Sequence, residues 1–184
     1  ETRPLQKTLH VAFAFKNTGQ HAVAIRDIQT NCDCLDAQSD KTLYQPGETG
    51  IVTAQFTVGE RYGHYERTLT VVTDDGNGPH KLRVSIEVPD AATFSPRTLE
   101  WKIGDTRELA TDLVVADGAT LDFSEVIPSN ENFRARLETI VPGRRYRLHV
   151  VPTSSAGAAN GALRVKGKSP DGDELIVSAY ANVR

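Results

Sequence analysis

The residues in this sequence best suited to chemistry are two cysteines separated by one residue. Cys32 and Cys34 lie in Asn31-Cys-Asp-Cys-Leu35 and are the only cysteines among 184 residues. In an extended segment, residues i and i+2 point to the same face with Cα atoms about 6.6 Å apart. This spacing permits a disulfide with a local kink, two thiolates on one soft metal ion, or two inert, half-buried thiols.

Each of these states has a different consequence for function. A disulfide closed over one residue removes little entropy from the unfolded chain, so it stabilises little and is easily reduced. A zinc site needs two further ligands, and none of the five histidines has diagnostic spacing from the pair, which makes Cu(I) the better candidate metal. The histidines are His10, His21, His64, His80 and His149. The sequence leaves these alternatives open, and we predict no cofactor.

The elements that position the pair are predicted to be strands. Lys81–Val88 alternates polar and apolar residues, which is typical of a half-buried strand, and Val11–Phe15 and Val52–Val58 alternate in the same way. Ala22–Thr30 shifts phase, which predicts a bulge or bend rather than a helix. Because no segment keeps a helical stripe, we predict an all-β protein built as antiparallel β-sandwiches.

The chain is predicted to contain two tandem immunoglobulin-like domains, residues 1–90 and 91–184. Pro89–Pro96 interrupts the alternation with two prolines and small residues, and we place the joint there. The second half repeats the turns of the first at an offset of about 95 residues. At that offset the cysteines fall opposite Pro128–Asn130, so the fold can be built without them. Trp101 is predicted to anchor the second core or to pack at the joint.

Three motifs follow one another in the first half: Asn17–Gly19 after a predicted strand, then Cys32–Cys34, then Pro46–Glu48. The order Asn-x-Gly, Cys-x-Cys, Pro-Gly-Glu resembles the pattern of a bacterial family of unknown function. Its domains look like the immunoglobulin-like modules of Hydin and major sperm protein. The resemblance covers about residues 5 to 90 and departs at Asp33, where a small residue is expected. It implies an exported, periplasmic or surface-associated, non-catalytic domain.

Composition narrows the classes of partner. A net charge of −3 and a pI near 6.0 give no reason to expect nucleic-acid binding. No apolar run approaches the roughly 18 residues that span a bilayer. The sequence begins with Glu1 and lacks methionine, which suggests a processed chain with an anchor possible upstream.

One charge pattern suggests a docking face in the second half. Basic side chains occupy outward positions on three successive predicted strands, which would form one basic face if those strands were neighbours. An acidic glycan or protein surface would then be the partner, whereas a solvated sheet face is the alternative. The residues are Arg134, Arg136, Arg145, Arg147, His149, Arg164, Lys166 and Lys168.

The sequence contains no recognised catalytic motif, and its nearest approach to one is a near match to a phosphate-binding loop. Gly161–Ser169 has five residues between its glycines instead of the four of a phosphate-binding loop, and no helix follows it. The leading prediction is therefore a non-enzymatic, extracytoplasmic binding or scaffolding module for a protein or glycan. Strand addition at an exposed sheet edge is its natural mechanism. The alternative is a thiol-based metal (copper or zinc) or redox protein that uses Cys32 and Cys34.

Overall fold

The structure is a computed structural model that describes residues 2–59 and 62–184. The chain divides into two compact units, Glu1–Pro89 and Asp90–Arg184, a division one residue from the predicted boundary. The described residues form fifteen strands and no helix, which confirms the predicted all-β class.

The first unit contains seven strands in two antiparallel sheets. One sheet has the order β1-β5-β3 and the other β4-β2-β6-β7. The register shifts between Ile25 and Asp27 on β2, in agreement with the bulge or bend predicted there. The strands are β1 Thr8–Lys16, β2 Val23–Thr30, β3 Leu35–Ser39, β4 Leu43–Tyr44, β5 Thr49–Thr57, β6 Gly63–Thr73 and β7 His80–Val88.

The core of the first unit lies between its two sheets. Phe56 and Leu35 come from the three-stranded sheet, and Leu69 and Ile86 come from the four-stranded sheet; all four are almost fully buried in one cluster. Alternation along each strand directs one set of side chains inward, as in Val52, Ala54 and Phe56 on β5. The unit is therefore a β-sandwich.

The second unit is also a sandwich, with sheet orders β12-β13-β10-β8 and β11-β14-β15-β9. All its strand pairs are antiparallel except β15 with β9, which is parallel. The strands are β8 Ala92–Ser95, β9 Thr98–Trp101, β10 Leu109–Val115, β11 Asp122–Pro128, β12 Phe133–Val141, β13 Arg145–Pro152, β14 Ala159–Lys168 and β15 Glu174–Val183.

The division between the units falls within the predicted joint, Pro89–Pro96, but half of that segment is a strand that was not predicted. Ala92–Ser95 forms β8 and pairs with β10, and its inward side chains Ala92 and Phe94 are buried. A four-residue strand between prolines is too short to show a recognisable alternation.

Trp101 on β9 is buried against Phe133, with ring centroids 5.7 Å apart, and its indole N–H donates to the Arg107 carbonyl at 2.8 Å. The prediction that it anchors the second core is confirmed.

Candidate functional site

Cys32 and Cys34 form a disulfide at the point where the chain crosses from one sheet of the first unit to the other. The crossing consists of residues 31–34, between the end of β2 and the start of β3, and it is a turn rather than an extended segment. The Cα atoms are 5.2 Å apart, within the range that a disulfide spans and closer than the extended spacing.

Hydrogen bonds to three strands hold this turn in place. The Leu35 N–H donates to the Cys32 carbonyl at 3.2 Å, and the Thr57 N–H at the end of β5 donates to the Cys34 carbonyl at 2.8 Å. On the other side, the Thr68 N–H of β6 donates to Oδ1 of Asn31 at 3.2 Å. The position of the two sulfurs is therefore fixed by backbone and side-chain contacts besides their own bond.

The two sulfurs differ in environment. Cys34 is 9% exposed and belongs to the core cluster, whereas Cys32 is half-buried at the cluster's margin. Arg67 on β6 brings its Nε to 3.5 Å from Sγ of Cys34. The Arg67 guanidinium lies over the Tyr65 ring at 5.1 Å and the Phe56 ring at 5.9 Å, and its Nη1 donates to the Glu66 carbonyl at 2.8 Å.

This arrangement bears on the metal hypothesis. Bonded to each other, the sulfurs are not thiolate ligands, so metal binding would require the reduced pair. Within residues 2–59 and 62–184, no group of three or more His, Cys, Asp or Glu side chains is arranged to hold a metal ion.

The second unit makes the corresponding crossing, from β11 to β12, without cysteines. Ser129 exchanges two hydrogen bonds with Ala162 on β14: the Ser129 N–H donates to the Ala162 carbonyl at 2.8 Å, and the Ala162 N–H donates to the Ser129 hydroxyl at 2.9 Å. The Asn130 amide donates to the Asn160 carbonyl at 2.9 Å. Backbone and side-chain hydrogen bonds therefore hold this crossing without a disulfide.

The single basic face predicted for the second unit does not form. β12 and β13 are neighbours, but β14 belongs to the opposite sheet, so the two groups of basic residues face away from each other on separate sheets. Arg134, Arg136, Arg145 and Arg147 lie on the first sheet. Arg164, Lys166 and Lys168 lie on the second. Strand order in a sandwich is not sequence order, which the alternation pattern could not reveal.

Carboxylates also interleave with the basic groups on the β12–β13–β10 face. Glu108 accepts from Arg136 at 3.2 Å, and the two ring nitrogens of His149 lie 2.8 Å from Glu108 and Glu138. The hydrogen bond from His149 is the main cause that lowers the pKa of Glu108 below its ordinary value. Lys166 on the other sheet pairs with Glu125 at 3.3 Å. This mixed pattern is typical of a solvated sheet face rather than an anion-binding one.

A second candidate site is the outer edge of β1. The Asn17 N–H donates to the Glu48 carbonyl at 2.9 Å and the Val58 N–H donates to the Lys7 carbonyl at 2.8 Å, so odd-numbered residues direct their backbone groups toward β5. Since backbone direction alternates, the N–H and C=O groups of His10, Ala12 and Ala14 point to the side where no strand within the described residues pairs with β1. These three residues are exposed.

The edge of β1 lacks the features that normally protect an edge strand. From Val11 to Phe15 it has no charge, proline, glycine or bulge, and its inward side chains Val11, Phe13 and Phe15 are only half-buried. Among the other edge strands in the described part of the chain, β3, β4, β8 and β9 have five residues or fewer. β7 carries Lys81, Arg83 and Glu87 outward. β11 and β12 contain register shifts.

Sequence reasoning found the cysteine pair but missed Arg67 and the β1 edge. Arg67 reaches Cys34 from another strand, 33 residues away, which no local pattern shows. The run without charge between His10 and Lys16 was visible in the sequence, but only the strand order reveals that it lies at an edge.

Residues 1–88 match the model of a family described as "Protein of unknown function (DUF1573)". The first domain thus matches a family of unknown function. This agrees with the family resemblance predicted for about residues 5 to 90, while the likeness to Hydin and major sperm protein stays a prediction. No curated protein sequence matches the chain.

Solved structures give distant similarities only. A protein of unknown function from Porphyromonas gingivalis W83 aligns over 97% of this chain and 92% of its own, with 14% identity and a TM-score of 0.39. Domains 4 and 5 of the S-layer protein SbsC align over 83% of this chain and 78% of their own, with 8% identity and a TM-score of 0.38. The CupB2 chaperone of Pseudomonas aeruginosa aligns over 95% and 92%, with 8% identity and a TM-score of 0.32. Scores this low carry no inference about function.

The described residues also contain no helix with the length and hydropathy to cross a membrane.

Proposed function

We propose that the protein is a non-enzymatic, extracytoplasmic binding module that captures an extended segment of a partner protein along β1. The open edge of β1 carries this proposal. It offers the backbone groups of His10, Ala12 and Ala14 to an incoming strand, and backbone pairing of this kind supplies affinity in strand addition.

The inward side of β1 indicates what the incoming strand would contain. Val11, Phe13 and Phe15 are half-buried at the open side of the sandwich, so a partner strand with apolar residues at alternate positions would cover them. The outward positions Ala12 and Ala14 are small and uncharged, and their neighbours on β5, Thr53 and Ile51, are also uncharged. A partner strand therefore meets neither charge repulsion nor steric obstruction on that face.

Two features support the rest of the proposal. The disulfide is the kind of bond that persists in oxidising compartments outside the cytoplasm. Both ring nitrogens of His149 are hydrogen-bonded on the sheet face, one to Glu108 and the other to Glu138. Neither nitrogen is therefore available to act on a substrate. The disulfide supports the extracytoplasmic location, and the hydrogen bonds of His149 favour a structural role for that side chain.

The first experiment blocks the edge without disturbing the sheet. Proline is tolerated on an edge strand where its nitrogen faces outward, so Ala12→Pro should leave the fold intact while removing one N–H and obstructing the edge. Ala12→Ser keeps the N–H and is the matched control. A photo-reactive residue at Ala14 should cross-link a partner protein in native extracytoplasmic extract, whereas one at Ala110, exposed on the interior strand β10, should not.

The expected result is that the cross-linked partner binds wild type and Ala12→Ser but not Ala12→Pro. Amide exchange at Ala12 and Ala14 should slow when the partner is bound, because those N–H groups become hydrogen-bonded. Equal binding of the partner by Ala12→Pro and wild type would overturn strand capture at β1. Capture of a second copy of this chain would instead identify the edge as a self-association site.

The compartment is tested separately. Protease added to source cells with a permeabilised outer membrane should degrade the chain while a cytoplasmic marker survives. Protection of both proteins would contradict an extracytoplasmic location.

A further inference from the structure

We propose that the Cys32–Cys34 disulfide is a thiol–disulfide exchange site for protein dithiols, in which Cys32 is the sulfur attacked and Cys34 is the leaving thiolate. This activity does not depend on strand capture at β1, because the turn of residues 31–34 lies between β2 and β3, whereas β1 pairs with β5.

The difference in burial sets the direction of attack. Exchange begins when a thiolate reaches one sulfur of the disulfide, and access decides which sulfur it reaches. Cys32 is half-buried and lies between the exposed residues Asn31 and Asp33, whereas Cys34 is 9% exposed and packed within the core. An incoming thiol therefore meets Cys32 first.

Arg67 favours Cys34 as the leaving group. Its Nε lies 3.5 Å from Sγ of Cys34, where a positive charge stabilises a thiolate as the S–S bond breaks. The guanidinium is held there by the rings of Tyr65 and Phe56 and by its hydrogen bond to the Glu66 carbonyl. A better-stabilised leaving thiolate departs faster in exchange.

The reaction balances as a two-electron exchange. A thiolate of the partner dithiol attacks Sγ of Cys32, the Cys32–Cys34 bond breaks, and its electron pair remains on Sγ of Cys34. The partner's second thiolate then attacks the partner's own sulfur in the mixed disulfide and releases Cys32 as a thiolate. The partner dithiol is oxidised to a disulfide, the protein's disulfide is reduced to two thiols, and the two protons lost by the partner are taken up by the released thiolates.

The surrounding fold suits a bond that opens and closes. A disulfide closed over one residue removes little entropy from the unfolded chain. Opening it therefore costs the folded protein little stability. Hydrogen bonds from Leu35, Thr57 and Thr68 hold the turn independently of the sulfurs and would keep the reduced thiols close. The crossing from β11 to β12 is held by Ser129 and Asn130 without cysteines, so architecture alone does not require the disulfide there.

The test measures reduction of the folded, full-length protein by dithiothreitol, with thiols trapped and counted by mass. Arg67→Gln removes the charge beside Cys34, and Arg83→Gln, at an exposed position on the adjacent strand β7, is the matched control. Reduction should proceed without denaturant, and it should slow about three- to tenfold in Arg67→Gln alone. In that variant the leaving Cys34 thiolate loses the stabilisation of a nearby positive charge, and the exchange rate responds to such a change with a Brønsted coefficient of about 0.5.

A second measurement uses the wild-type protein and is independent of how the variant folds. Glutathione is added, the mixture is quenched by alkylation, and the modified cysteines are mapped. Glutathione should be found on Cys32 and the alkyl group on Cys34. Reduction only in urea, equal rates for the two arginine variants, or glutathione on Cys34 would each overturn the proposed site.

Discussion

Arg147 and Asp112 form a two-point guanidinium–carboxylate pair across β13 and β10, with Nε 2.7 Å from Oδ1 and Nη2 3.2 Å from Oδ2. The hydrogen bond from Arg147 is the main cause that lowers the pKa of Asp112 below its ordinary value of 3.8. A depressed carboxylate pKa adds stability that is present above the ordinary value and is lost as the pH falls through the native one.

We therefore expect Asp112→Asn to lower the unfolding midpoint in urea slightly at neutral pH, because both partners are partly exposed and the pair is screened by water. The difference from wild type should shrink as the pH falls below 3.8 and vanish once the carboxylate is protonated in the folded chain as well. Asp171→Asn, at an exposed turn position, is the control. A difference that stays constant with pH would show that the pair is not its source.

The hydroxyl of Tyr146 is a buried hydrogen-bonding centre in the second unit. It accepts from the Gly143 N–H at 3.0 Å and donates to the Leu121 carbonyl at 2.9 Å, and the side chain is 2% exposed. Tyr146→Phe leaves both backbone groups without that partner, so we expect it to lower the free energy of unfolding by about 1–3 kcal/mol. Tyr180→Phe, at a 42% exposed position, should change it by less than about 0.5 kcal/mol. Equal effects in denaturant unfolding would contradict the assignment.

Gly50 lies beneath two aromatic rings of the first unit. A methyl group at this position would lie 2.5 Å from Cζ of Phe15 and closer still to Tyr44. These rings pack edge to face with centroids 4.7 Å apart, and the Tyr44 ring is almost fully buried. Gly50→Ala should therefore lower the free energy of unfolding by about 1–3 kcal/mol. Gly157→Ala, which has open space around the added methyl group, should not, and urea denaturation of both variants makes the comparison.

Removal of the disulfide should leave the first unit folded. The loop it closes contains only one residue between the cysteines, so Cys32→Ala with Cys34→Ala should cost no more than about 2 kcal/mol. Circular dichroism and thermal unfolding of this double variant provide the measurement, with the reduced wild type as control. Loss of the cooperative transition would show that the bond is structural.

Each unit should fold alone. The buried cluster of the first unit draws only on residues between Leu9 and Val88, and the two units divide at Pro89 and Asp90. Chains of residues 1–89 and 90–184 should each give a strand-type circular dichroism spectrum and a single cooperative transition. An unfolded fragment would contradict the predicted two-domain organisation.

Local sequence patterns predicted the strands well and their arrangement poorly. Alternation located β1, β5 and β7, because one buried face imposes a period of two on a strand. β8 was missed because a strand of four residues between prolines shows no period. The position of β14 in the opposite sheet depends on contacts between distant segments, which no window along the chain contains.

The candidate site shows the same division. The spacing of Cys32 and Cys34 identified the pair in the sequence. It did not decide whether the pair forms a disulfide, binds a metal or remains as two inert thiols. What distinguishes the two sulfurs is Arg67 and the core cluster, both brought to Cys34 by folding. The single basic face was wrong because outward direction along a strand does not say which sheet the strand joins.

The contact of Gly50 with Phe15 and Tyr44 links three positions that are far apart in sequence. A β-carbon at position 50 fits only if an aromatic ring nearby is replaced by something smaller. Among sequences descended from a common ancestor with this one, an alanine or serine at position 50 should therefore coincide with loss of the ring at position 15 or 44. The same rule should join positions 167 and 123, where the ring of Phe123 covers Gly167. Such paired changes would reveal these contacts within each sandwich from sequence data alone.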